Sequence, residues 1–160
     1  HPSYQSNNTD ALIGVEKKRL ENVVGHEVKV SRQHFLKMTL PETYQNLIIN
    51  GIEEDHTLGY STHLGFRAGI AAPFYFFDLS KNESTNLRLV PFCMMDITPM
   101  FYYGQTVQEA KIELTQMIGR LKNCGGLCVS LWHNESLSEN GRWEGWRTVY
   151  EHLLNQSVKS

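Results

Sequence analysis

An α/β fold with a largely parallel sheet or barrel is what this 160-residue sequence predicts, on three observations. Short β-type segments alternate with segments of helical period. The longer helical segments carry recognisable start and stop signals. Ionisable side chains recur where the strand segments end, and in a parallel arrangement those ends gather on one face.

The first helix is expected in "TDALIGVEKKRLENVVG", where Leu12, Ile13, Leu20, Val23 and Val24 recur at helical spacing and Gly25 stops the run. Asp10, in its opening turn, is explained by the helix dipole. The strand segment "EVKVSRQHF" follows and runs into His34. "TLPETYQNLIINGI" predicts a second helix with a Thr39–Glu42 capping box, Pro41 in its first turn, Leu47 and Ile48 turned inward, and Gly51 at its end. "GIEED" then finishes at Asp55, with His56 next. The strands "APFYFFDL" and "LRLVPFCMMD" flank a hairpin-type turn in "SKNESTN", and the second of them ends at Asp96. "TVQEAKIELTQMIGRLKNCGG" repeats the capping box with Thr106 and Glu109. It carries an apolar stripe of Val107, Ala110, Leu114, Met117, Ile118 and Leu121, and Gly125 closes it. "LCVSLWH" is the last strand, ending at His133, and a fourth helix is expected over Trp146 to Leu154.

Composition narrows the function classes. Hydrophobic residues make up 41% and charged residues 20%, the balance of an ordinary globular domain long enough for one core. A formal charge of −2 leaves no basic stripe for phosphates, which argues against nucleic acid as a partner. No apolar run has the length of a membrane span, and no signal peptide is visible. The three cysteines, Cys93, Cys124 and Cys128, form neither a CxxC pair nor an even disulfide set, and Cys128 reads as a small buried hydrophobe. Asn-X-Ser/Thr triplets begin at Asn7, Asn82, Asn134 and Asn155 and do not by themselves establish secretion.

The strand-end residues are the candidates for chemistry. His34, Asp55, Asp96 and His133 end or follow strand segments, Arg67 sits in the glycine-bracketed loop "GFRAG", and His1 stands before the first helix. His26, His56, His63 and His152 read as surface or structural groups.

At "HPSYQS", "RQHFL", "DHTLGYSTHLGFRAG", "PFYFFDL", "MMDIT" and "SLWHNESLS" the chain resembles bacterial polysaccharide deacetylase-like proteins, a branch of the metal-dependent carbohydrate esterases. The resemblance implies a deformed (β/α) barrel within a single domain over residues 1–160. The barrel's first strand or strands are expected upstream of His1, or completed by another chain. It implies a metal-dependent hydrolase that removes N-acetyl or other acyl groups from a bacterial polysaccharide, with a divalent ion, usually zinc, polarising the carbonyl and activating water.

Carried onto this sequence, the resemblance makes His1 and His34 metal ligands. It makes His133 the acid that protonates the leaving amine, and Arg67 and Asp96 a pair that tunes the base. Asn134 and Glu135 are expected to fix the tautomer of His133, while Trp132, Asp55 and Tyr60 are candidates for contact with the sugar. Two positions depart from the pattern: Gln5 stands where a second histidine is usual, and the family's acidic pair, expected on a strand upstream of His1, has no replacement within this sequence. These departures favour an alternative in which a deacetylase-like domain binds carbohydrate, or serves as a scaffold, without catalysis.

Overall fold

The computed structural model describes residues 1–8 and 10–158. Thr9, which closes the triplet begun at Asn7, lies outside the described residues, as does the side chain of Asp10. The chain forms two compact units, one of His1–Leu58 with Pro73–Pro91, the other of Gly59–Ala72 with the chain from Phe92 onward.

The first unit contains α1 (Asp10–Val24), β1 (Val30–Ser31), α2 (Glu42–Ile49), β2 (Glu54–Asp55), β3 (Phe74–Asp78) and β4 (Glu83–Leu89). Its four strands lie in the order β1-β2-β4-β3. β1, β2 and β4 run parallel, and β3 returns antiparallel to β4 as a hairpin. Buried Leu87 and Leu89 flank exposed Arg88 on β4, the period-two alternation of a half-covered strand. Tyr44 and Leu47 of α2 are buried in the same unit, as is Ile52.

Four local expectations change here. Thr39 does not cap α2: its own N–H donates to the Thr43 hydroxyl at 2.9 Å, and the capping position is occupied by Pro41 without a side-chain bond. The apolar stripe of α1 is buried at Ile13 only in part of its length, since Leu20, Val23 and Val24 are 43%, 79% and 43% exposed. On α2, Leu47 is buried but Ile48 is not. The hairpin turn is also tighter than expected, because Glu83–Asn86 already belong to β4.

The segment "LRLVPFCMMD" yields two strands instead of one. β4 stops at Leu89, Pro91 has no N–H for a ladder, and pairing resumes in the second unit with β5 (Met94–Met95). There β5 pairs in parallel with β6 (Ser130–Leu131), Met94 opposite Ser130 and Met95 opposite Leu131.

The second unit is completed by α3 (Val107–Cys124) and α4 (Arg147–Val158). The Thr106–Glu109 capping box forms, and Gly125 closes α3 in the left-handed conformation, φ 68°. Ala110, Leu114, Met117, Ile118 and Leu121 are buried together with Cys93, Met94, Trp143, Trp146, Val149 and Leu153 as one core. The Glu139 carboxylate accepts from the N–H groups of Gly145 and Arg147, both at 2.8 Å, which supplies an acceptor where α4 starts. No helix among the described residues is long and apolar enough to cross a membrane.

Candidate functional site

Parallel pairing of β5 with β6 carries Asp96 and His133 to the same end of the ladder. Cys93 N–H donates to the Val129 carbonyl and Asp96 N–H to the Leu131 carbonyl, each at 2.9 Å, so the register is maintained up to the residues that matter. Beyond it, the His133 N–H donates to Asp96 Oδ2 at 2.7 Å. His133 Nδ1 lies 2.9 Å from Oδ1 and 3.1 Å from Oδ2 of the same carboxylate.

Asp96 is fully buried, and its carboxylate is met by donors on every side. Besides the two from His133, the Ser136 hydroxyl donates to Oδ2 and the Ile97 N–H donates to Oδ1 at 2.8 Å. Four donors match the acceptor capacity of one ionised carboxylate, which is how a buried charge is retained. Because an ionised carboxylate only accepts, Nδ1 is the nitrogen that donates to it, and whenever the imidazole is neutral its unprotonated nitrogen is Nε2. The His133 side chain is 53% exposed, whereas that of Asp96 is closed off, so the ring is held at Nδ1 while about half of the side chain meets solvent.

Ser136 is a residue that sequence reasoning missed. It is fully buried and follows His133 by one helical turn; its hydroxyl also lies 2.7 Å from the His133 carbonyl. Nothing in a serine three residues after a histidine distinguishes it from any other turn serine. The orienting role expected of Asn134 and Glu135 belongs instead to Asp96 and Ser136. Glu135 is engaged with Arg142 at 2.8 Å, which holds its carboxyl below the ordinary range.

The other candidates in this unit are placed differently. Arg67 is exposed in the turn closed by Gly69 N–H to the Phe66 carbonyl, and its guanidinium takes no part in the bonding of Asp96. The Arg67–Asp96 pair is not formed; donors from Ile97, His133 and Ser136 occupy the carboxylate instead. Trp132 is partly buried, edge-to-face with Tyr150 of α4 at 5.0 Å, and donates from its indole to Ser130. That makes it a packing residue more than an open platform. Tyr60 is 38% exposed, with its ring edge-on to His63 at 5.6 Å.

In the first unit, the rings of His1 and His34 meet edge to face with centroids 4.7 Å apart. No group of three His, Cys, Asp or Glu side chains with metal-binding spacing occurs among the described residues. Two imidazoles fall short of the three protein ligands that a catalytic zinc centre ordinarily takes. Asp55, at the end of β2, is fully buried and bonded to the Thr57 N–H at 2.9 Å and the Thr57 hydroxyl at 2.7 Å. As packed, it presents no surface to a sugar. Burial raises its pKa to about 6, against the opposing effect of the Thr57 bonds.

Comparison with protein-family models, with curated proteins and with solved structures finds no match to this chain.

Proposed function

We propose that the chain carries the acid–base centre of a hydrolase acting on acyl groups, amide or ester, of a polysaccharide. The observation that supports this reading is the Asp96–His133 pair, with Nδ1 fixed by a buried carboxylate and about half of the His133 side chain exposed to solvent. Nε2 in the neutral ring takes a proton from water attacking the acyl carbonyl. Once protonated, it returns the proton to the departing amine or alkoxide. Asp96 keeps the charge-bearing form of the ring in register throughout, and Ser136 keeps Asp96 in place. The reaction class and the glycan substrate come from the resemblance at "GFRAG" and "SLWHNES".

His1 and His34 of the first unit would hold a divalent ion as two of its ligands, and such an ion, when bound, would supply Lewis-acid chemistry. Elemental analysis of the purified protein tests that part separately. A stoichiometric divalent ion lost in the His34→Ala variant supports it, and full occupancy in that variant removes His34 from the ligand set.

Acetate release from N-acetylated oligosaccharides tests the hydrolase reading. His133→Ala should lower turnover by about 10²–10⁴-fold with the fold intact, the usual contribution of a positioned acid–base group. Turnover equal to that of the parent chain would reject the role of His133. The unformed Arg67–Asp96 pair favours a second reading, a carbohydrate-binding domain without catalysis. Oligosaccharide binding measured by calorimetry, with no acetate released, would select it.

A further inference from the structure

We infer that Cys93 and Cys128 form a peroxide-sensitive dithiol that closes reversibly to an intramolecular disulfide. The inference is independent of the hydrolase reading. The two sulfurs lie 4.0 Å apart in the second unit, on the segments that lead into β5 and β6. The Cys93 N–H donates to the Val129 carbonyl at 2.9 Å, which ties the main chain next to Cys128 to that of Cys93, and closure brings the sulfurs from 4.0 Å to about 2 Å. The Cys93 thiol also lies 3.2 Å from the Val129 carbonyl.

The pair is asymmetric in the way that a sensing dithiol requires. Cys93 is 1% exposed and packed in the core with Met94 and Leu114, out of reach of an oxidant in solution. Cys128 is only partly buried and is the more exposed residue of the two. The Cys93 thiol beside it holds Cys128 down to about 7 although burial opposes this, while the same contact and burial push Cys93 up. Cys128 is thus the thiolate and Cys93 the resolving thiol.

The chemistry balances with a hydroperoxide as oxidant. The Cys128 thiolate attacks one peroxide oxygen, the O–O bond breaks, and Cys128 becomes a sulfenic acid as hydroxide leaves. Cys93 then attacks the Cys128 sulfur, its proton and the sulfenic hydroxyl leave as water, and an S–S bond forms. The two sulfurs have together given two electrons to the peroxide. A small dithiol reverses the reaction by exchange. The link would tie the approaches to β5 and β6 three residues before Asp96 and five before His133.

Cys124 is exposed, so the test uses the full chain carrying Cys124→Ser. After one equivalent of hydrogen peroxide, free thiols should fall from two to none. The monomer should lose two hydrogen masses, and a peptide joining Cys93 to Cys128 should appear and vanish with dithiothreitol. With Cys93→Ser added, Cys128 should instead be trapped by dimedone as a sulfenic acid. Retention of both thiols overturns the inference. So does a covalent dimer, or oxidation of Cys128 to sulfinic acid while Cys93 remains alkylatable.

Discussion

Asp96 receives both the main-chain N–H and the ring Nδ1 of His133, at 2.7 and 2.9 Å, so one buried carboxylate sets the backbone and the imidazole of the same residue. This double engagement separates orientation from exposure. The ring cannot rotate about its first side-chain torsion without breaking a bond to a buried charge, yet half of its surface stays in solvent.

Asp96→Asn tests that arrangement directly. The amide presents an NH₂ group to a site surrounded by donors, so at least one of His133, Ser136 and Ile97 loses its acceptor. Each buried donor left unpaired costs about 1–3 kcal/mol, and the variant should unfold earlier in urea by that order. Nitrogen-15 NMR of the imidazole should also show the Nδ1–H tautomer giving way to a mixture. An unchanged tautomer with unchanged stability would mean that Asp96 does not position the ring.

How much of this was legible in the sequence depends on how local each signal is. The box at Thr106 and the stripe from Ala110 to Leu121 involve neighbours on one helix, and both appear as read. The same box at Thr39 fails because a competing local partner, the Thr43 hydroxyl, takes the N–H it needed. Periodicity marked Leu20, Val23 and Val24 as a face, but it carries no information on what covers a face, and these residues are exposed. The meeting of Asp96 and His133 was legible because parallel pairing leaves little freedom at strand ends. Ser136 was not, since its role exists only once a carboxylate from another strand has arrived. Cys128 read as inert packing for the same reason: its partner comes from β5's side of the ladder.

Thr106→Ala should destabilise the second unit by about 1 kcal/mol, the usual cost of removing a helix cap. The Thr106 hydroxyl is bonded to the Glu109 N–H at 3.3 Å, while the Glu109 carboxylate accepts the Thr106 N–H at 2.8 Å. Thr106→Ser keeps the oxygen and should retain most of the stability. Thermal melts of the two variants check the pair; equal loss in both would point to the methyl group instead of the cap.

Gly59→Ala should be costly for a steric reason. A Cβ at this position would stand 2.3 Å from the ring carbons of Phe92, which is 2% exposed and has little room to retreat. Overpacking of this kind typically costs about 1–3 kcal/mol. Adding Phe92→Leu to Gly59→Ala should recover part of that loss, because the smaller side chain vacates the collision. Denaturant midpoints of the single and double variants decide it, and additive losses would show that the two sites do not collide.

Asp55 predicts a pH dependence of unusual sign for a carboxylate. Its pKa in the folded protein is about 6 against an ordinary value of 3.8, burial being the main cause and the two Thr57 bonds opposing it. Between those values the native protein keeps a proton that the unfolded chain has already released. Stability therefore falls as pH rises from about 4 to about 6, and the whole deficit is present above that range. The gap corresponds to roughly 3 kcal/mol. Asp55→Asn removes the titration while keeping an oxygen for the Thr57 N–H, and the Thr57 hydroxyl, which already accepts from Gln33 N–H at 2.9 Å, can accept from the new amide. Urea unfolding from pH 4 to pH 7 should show parent and variant close together at the acid end. The variant should gain on the parent as pH rises through 6, by about 1–3 kcal/mol at pH 7. A difference between the two that stays constant across the range would show that the Asp55 carboxyl is already ionised in the folded protein at pH 4.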